Sequence, residues 1–121
     1  MPVRVLIVDD QEPFRIAAKA VIAQTPGFIT VGESVSGEDS VAAAGRLRPD
    51  LVLMDIVLPG IDGVEAARQI TEERPGTVVI MVSTYSRFDA GLRSTDSGLP
   101  NFVPKSEFGP RALADAWAAR R

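Results

Sequence analysis

Five short apolar runs, each stopped by acids, hydroxyls or turn formers, set the rhythm of this chain. Val3 to Val8, Leu51 to Met54 and Thr77 to Val82 are almost wholly aliphatic, the pattern of strands covered on both faces of a sheet. Phe28 to Glu33 is β-rich and partly alternating, as an edge strand with one wetter face is. Asn101 to Pro104 is a shorter fifth run. Between these runs the apolar spacing turns helical. Phe14, Ala17, Ala18, Val21 and Ile22 form one stripe, with Asp10 as the expected N-cap and Glu12 and Pro13 in the first turn. Val41, Ala44 and Leu47 form a second, started by Ser36, Gly37 and Glu38. Val64, Ala67 and Ile70 form a third, with Asp62 as N-cap, and Leu113, Ala116 and Trp117 belong to a last helix from about Glu107. Residues 85–100, with Gly91, Ser94, Ser97, Gly98 and Pro100, predict a short or mobile helix.

Five strands alternating with five helical segments predict an α/β fold, a parallel sheet with right-handed crossovers in a three-layer α/β/α sandwich. In such a sheet every strand's carboxyl end meets the same edge, where ligands bind. The first strand delivers Asp9 and Asp10 there, the third Asp55, the fourth Ser83 and Thr84, and the fifth Lys105. Leu51 to Gly60 is the organising stretch, because its apolar run ends in a single carboxylate and Pro59-Gly60 then turns the chain.

Composition narrows the chemistry. The 121 residues suit one domain, 1–121, with a core of its own. With no cysteine and no histidine, disulfides, thiolate and imidazole metal sites and histidine-activated nucleophiles are excluded. A net charge of −3 gives this segment no general reason to bind nucleic acid. No signal-peptide core follows Met1 and no apolar run reaches the length of a membrane span, so a cytoplasmic protein without membrane contact is expected.

Three carboxylates in one pocket raise one another's pKa unless a cation compensates them. Hard oxygen donors suit Mg²⁺, which prefers octahedral geometry and keeps several waters, and Lys105 adds a fixed positive charge. A carboxylate beside both is placed to attack a phosphoryl group, with the cations offsetting charge on the transferring oxygens and a hydroxyl at Ser83 in reach of the product. The expected chemistry is phosphoryl acceptance by Asp55.

Several blocks, in this order and spacing, carry a resemblance. They are Asp9-Asp10, Met54-Asp55 with Leu58-Pro59-Gly60 and Asp62-Gly63, then Ser83, then Phe102-Val103-Pro104-Lys105-Ser106. Over essentially its whole length the chain resembles the receiver domain of bacterial two-component response regulators. The resemblance implies a flavodoxin-like fold with strand order 2-1-3-4-5. It makes Asp55 the phosphoacceptor, served by a sensor histidine kinase. Asp10, Asp55 and the backbone carbonyl of Val57 would bind Mg²⁺, with indirect help from Asp9. Ser83 and Lys105 would hold the phosphoryl oxygens, and Phe102 would stand at the aromatic switch position. Such a module catalyses only its own phosphorylation and dephosphorylation. The ending Pro-Lys-Ser-Glu-Phe looks like the subgroup whose receiver precedes a helix-turn-helix DNA-binding domain that regulates transcription. That output domain is expected to be absent or to lie outside this chain, and a phosphorylation-dependent homodimer is allowed.

The chain also departs from the family. Thr84 stands where a smaller residue is usual, Phe102 lacks the hydroxyl of the commoner tyrosine, and 85–100 match poorly. Plainer readings stand beside these roles. Asp9-Asp10 could serve only as caps, Ser83 as a loop hydroxyl, Lys105 as a solvated lysine and Phe102 as static core. One rival function is a docking module that keeps the fold without phosphorylation. Another is an α/β hydrolase or nucleotide binder. A dehalogenase-type phosphatase wants a second Asp where Val57 stands, however, and no Gly-rich loop follows the first strand.

Overall fold

Alternation along the strands sends successive side chains to opposite faces, and among the described residues a pair of helices packs on each face. The computed structural model describes residues 1–84 and 102–120. The elements are β1 (Val3–Val8), α1 (Glu12–Ala23), β2 (Phe28–Ser34), α2 (Gly37–Leu47), β3 (Leu51–Asp55), α3 (Gly63–Glu73), β4 (Val78–Ser83), β5 (Phe102–Pro104), a 3₁₀ turn (Lys105–Glu107) and α4 (Pro110–Ala118). All strand pairs are parallel, in the order β2-β1-β3-β4-β5. The flavodoxin-like α/β/α sandwich expected from the sequence is therefore the fold.

Two cores sandwich the sheet. Leu6, Val8, Val52 and Met54 meet Ala43, Ala44, Ala66, Ala67 and Ile70 of α2 and α3. On the other face Val5, Ile7, Leu51 and Leu53 meet Ala18 and Ile22 of α1 and Leu113 of α4. A one-residue slip of β3 would exchange the two sets, and each buried aliphatic side chain stabilises its place by about 1.5–3 kcal/mol. Core packing thus fixes the height at which every strand ends, and with it the height of the polar residues that follow.

Most local expectations hold. Ser36 caps α2 by accepting from Asp39 N at 3.0 Å, and Asp62 caps α3 by accepting from Glu65 N at 2.8 Å. Glu12 and a proline do occupy the first turn of α1. Asp10, by contrast, is not the N-cap of α1. Gln11 holds that position without a side-chain bond, and Asp9 Oδ1 accepts from Gln11 N at 2.8 Å. Ala17 is exposed, so the buried stripe of α1 is narrower than its periodicity suggested. The last helix starts at Pro110 rather than near Glu107, because Lys105–Glu107 close a 3₁₀ turn first and a proline suits the first helical turn. β2 runs one residue further than expected, to Ser34, and β4 is shifted by one, to Val78–Ser83. The helix expected over 85–100, like Asn101, lies outside the described residues.

Candidate functional site

Parallel pairing brings the carboxyl ends of the strands to one edge. Val8 lies opposite Met54, so the next residues, Asp9 and Asp55, emerge side by side. Asp9 is fully buried and Asp55 nearly so at 5% exposure, while Asp10 is open to solvent. One carboxylate oxygen from each lies within 4.8 Å of the others. Lys105, directly after β5, places Nζ 2.5 Å from Asp9 Oδ2 and 3.4 Å from Asp55 Oδ2. Ser83 is the buried last residue of β4, whose Val82 pairs with Asp55. Thr84, next in the chain, is exposed.

Charge in this pocket is unevenly matched. Burial first and the charge of Asp9 second raise the Asp55 carboxyl to about 6, against the opposing pull of Lys105 and the Val57 N–H. That N–H stands 3.4 Å from Asp55 Oδ1. Asp9 Oδ2 accepts no aligned hydrogen bond, and its contact with Lys105 is an ion pair. A buried carboxylate oxygen so placed, beside two further acids, favours an additional cation. Octahedral Mg²⁺ with ligands at about 2.0–2.1 Å spaces them roughly 3–4 Å apart. The three acids are close enough to supply such oxygens with small adjustments, so this donor set fits the ion. A separate cleft of about 470 Å³, lined by Arg48, Asp50, Glu73, Arg74 and Thr77 among others, opens at the opposite edge of the sheet, away from these acids.

The supporting side chains are the part that the apolar pattern did not reveal. Phe14 of α1 lies under Lys105, with Nζ 4.6 Å from its ring centroid, and its ring in turn contacts Phe108 at 5.9 Å. Arg15 donates to the carbonyl oxygen of Asp9 at 2.8 Å and pairs with Glu33 of β2 at 3.1 Å. Lys19 reaches the same Glu33 at 2.9 Å. The Lys19 hydrogen bond, with Arg15 assisting against burial, holds the Glu33 carboxyl below its ordinary value. Arg15 and Lys19 are four apart on one helix face, but only the fold shows that Glu33 lies opposite them.

Gly63 is the second such case. A Cβ there would stand 2.0 Å from the carbonyl oxygen of Asp55, and the Gly63 N–H donates to the Ile56 carbonyl at 2.8 Å. The N-terminus of α3 is thereby seated on the acceptor strand's own backbone. Val57, 59% exposed, follows Asp55 and Ile56 at the start of the connecting loop. Phe102 is half-buried against the core on the α2/α3 side of the sheet. Of the residues singled out from sequence, Asp9, Asp10, Asp55 and Lys105 form one cluster, Ser83 ends the neighbouring strand, and Phe102 packs into the core beside that edge.

Comparison with known proteins agrees with the fold. Residues 5–117 match the family described as the response regulator receiver domain. The response regulator protein VraR of Staphylococcus saprophyticus is 37% identical over 106 residues, which cover 88% of this chain and 51% of that protein. A protein-glutamate methylesterase/protein-glutamine glutaminase of Alkalilimnicola ehrlichii is 40% identical over 106 residues, 87% of this chain and 27% of its own length. The chain thus spans about half the length, or less, of these curated relatives. Among solved structures, the response regulator domain of Thermotoga maritima CheB superposes with a TM-score of 0.81 at 30% identity, covering 98% of this chain and 96% of that one. A LuxR-family two-component response regulator from an Aurantimonas species gives 0.84 at 27% identity, covering 98% and 84%.

Proposed function

The chain belongs to the response-regulator receiver family, and we propose that within it the chain acts as a phosphoacceptor signalling module with Asp55 as the acceptor. The observation that carries this reading is the meeting of a buried strand-end carboxylate with two further acids and the Lys105 ammonium 3.4 Å away. An ionised Asp55 oxygen attacks the phosphorus of a phosphohistidine on a sensor kinase. The P–N bond breaks, its electron pair returns to the imidazole, and an acyl phosphate remains on Asp55. Lys105, held between Asp9 and Asp55 and over Phe14, takes up one phosphoryl oxygen, and the Ser83 hydroxyl donates to another. Asp10, Asp55 and the Val57 carbonyl, with Asp9 behind them, would hold Mg²⁺, which when bound offsets charge on the transferring oxygens.

The acyl phosphate carries about 1.5–2 negative charges where the carboxylate carried one, so the sheet edge gains up to about one. Drawing Ser83 and Lys105 toward it pulls on the ends of β4 and β5, and Phe102 repacks between two positions. The module is no enzyme beyond its own phosphorylation and dephosphorylation. It acts in the cytoplasm and regulates a C-terminal DNA-binding domain, through a phosphorylation-dependent homodimer. Among the described residues no helix is long and apolar enough to cross a membrane.

Incubation with a small acyl phosphate donor and Mg²⁺, followed by intact mass, tests the reading. The expected result is a gain of one phosphoryl group that needs the metal and disappears in Asp55→Asn. No gain, or a gain that survives that substitution, would make the docking module the better reading.

A further inference from the structure

Beyond the acids themselves, the loop that follows Asp55 is held from an unexpected direction. Glu38 lies in the first turn of α2, where a carboxylate ordinarily serves the helix's own N–H groups. Ser36 already caps that turn. The Glu38 carboxylate instead crosses to the β3–α3 loop, where Oε2 accepts from Ile61 N at 3.2 Å. It also lies directly over Gly60, whose φ of +75° is a left-handed conformation, and a Cβ there would come within 2.4 Å of Glu38 Oε1. Next to it, buried Gly37 packs on Ile61 so closely that a Cβ would meet the Ile61 carbonyl oxygen at 2.5 Å. Two residues of α2 are therefore fitted against two residues of the loop.

The far end of this loop is fixed by Gly63 on the backbone of Asp55 and Ile56 and by the Asp62 cap. Its near end is Val57, exposed and tied to Asp55 by one long hydrogen bond. Between these ends Leu58 is buried in the core and Ile61 packs against it, and the Glu38 carboxylate adds a polar hold on the backbone of Gly60 and Ile61. We infer that Glu38 is a positioning residue for the acceptor loop: by fixing Gly60 and Ile61 it sets the direction of the Val57 peptide beside Asp55, and so the affinity of the acidic pocket for a divalent cation. This rests on the phosphoacceptor reading only for its consequence in signalling, because the contact itself belongs to the unphosphorylated protein. Groups that orient a metal's ligands without touching the metal commonly change affinity by about tenfold or more when removed.

The test compares the whole chain with Glu38→Ala and Glu38→Gln. Mg²⁺ affinity is measured by calorimetry, amide exchange at Ile61 by NMR, and phosphoryl uptake from a small donor across Mg²⁺ concentrations. Glu38→Ala should weaken Mg²⁺ roughly 3- to 10-fold and speed Ile61 exchange, while the uptake rate at saturating Mg²⁺ stays within about twofold. Glu38→Gln keeps an acceptor oxygen without the charge and should restore both Mg²⁺ affinity and Ile61 protection. An Ala variant that binds Mg²⁺ like the parent overturns the proposal. So does a Gln variant as weak as Ala, since the effect would then be long-range charge. If the parent protein takes no phosphoryl group at all, the functional reading fails, yet Mg²⁺ affinity and Ile61 exchange still decide the role of Glu38.

Discussion

Burial and the charge of Asp9 lift the Asp55 carboxyl from an ordinary 3.8 to about 6, so without metal the folded state binds this proton more tightly than the unfolded chain does. The stability that follows is complete below about pH 4 and is lost as the pH rises through about 6. Urea unfolding of metal-free protein should therefore show a loss between about pH 4 and pH 7 that Asp55→Asn removes, with that variant the more stable at the higher pH by on the order of 1 kcal/mol. An unchanged pH slope would contradict the electrostatics drawn for the pocket. Lys105 has the opposite effect. Its removal in Lys105→Met leaves Asp9, fully buried, without its ammonium, and should cost about 3 kcal/mol in metal-free protein near neutral pH. Chemical denaturation in the presence of Mg²⁺ should recover part of this loss, because the ion supplies the charge that the lysine no longer does.

The element that matters most is β3 with the turn into α3. Gly63 has no room for a side chain, and the atom in the way is the Asp55 carbonyl rather than a movable side-chain tip. Gly63→Ala must displace backbone at the acceptor, with an expected loss of about 1–3 kcal/mol by thermal unfolding and weaker Mg²⁺ binding in the same sample. Unaltered stability and affinity would show that α3 is seated more loosely than described. β3 itself was legible, because an apolar run, one acid and Pro59-Gly60 can hardly be read otherwise. Gly63 was legible only as part of a motif. Its spacing beside Asp62 marks a helix start, but the need for glycine arises from a strand eight residues earlier. Glu38, Arg15 and Phe14 were not legible at all as parts of the site. Each reaches it from a helix whose own periodicity explains the residue well enough, and only the crossovers bring them to β1, β3 and the turn after β5. The mistaken cap at Asp10 has a similar origin, since either of two adjacent acids satisfies a cap signal and the buried one, Asp9, takes the bond to Gln11.

For the molecule as a whole, strand alternation was enough to predict the layers, whereas the order of strands came from the family resemblance. The observed sheet agrees with both. Because every strand end is registered by two packed cores, a ligand at the sheet edge is linked to global stability. Mg²⁺ at one hundred times its Kd should raise the unfolding free energy by about 2.7 kcal/mol, and Asp10→Asn should reduce that gain with little effect on the metal-free protein. Differential scanning calorimetry with and without the ion checks this. A metal-independent Tm would mean that the acids do not share an ion. The central claim, that Asp55 is the residue phosphorylated, is tested most directly by identifying the modified side chain. Protein treated with a small acyl phosphate donor and Mg²⁺ is reduced with borohydride, which converts an acyl phosphate to an alcohol, and the marked peptide is sequenced by mass spectrometry. The mark should fall on Asp55 alone, whereas a mark on Asp9 or Asp10, or none in protein that still binds Mg²⁺, would contradict the account.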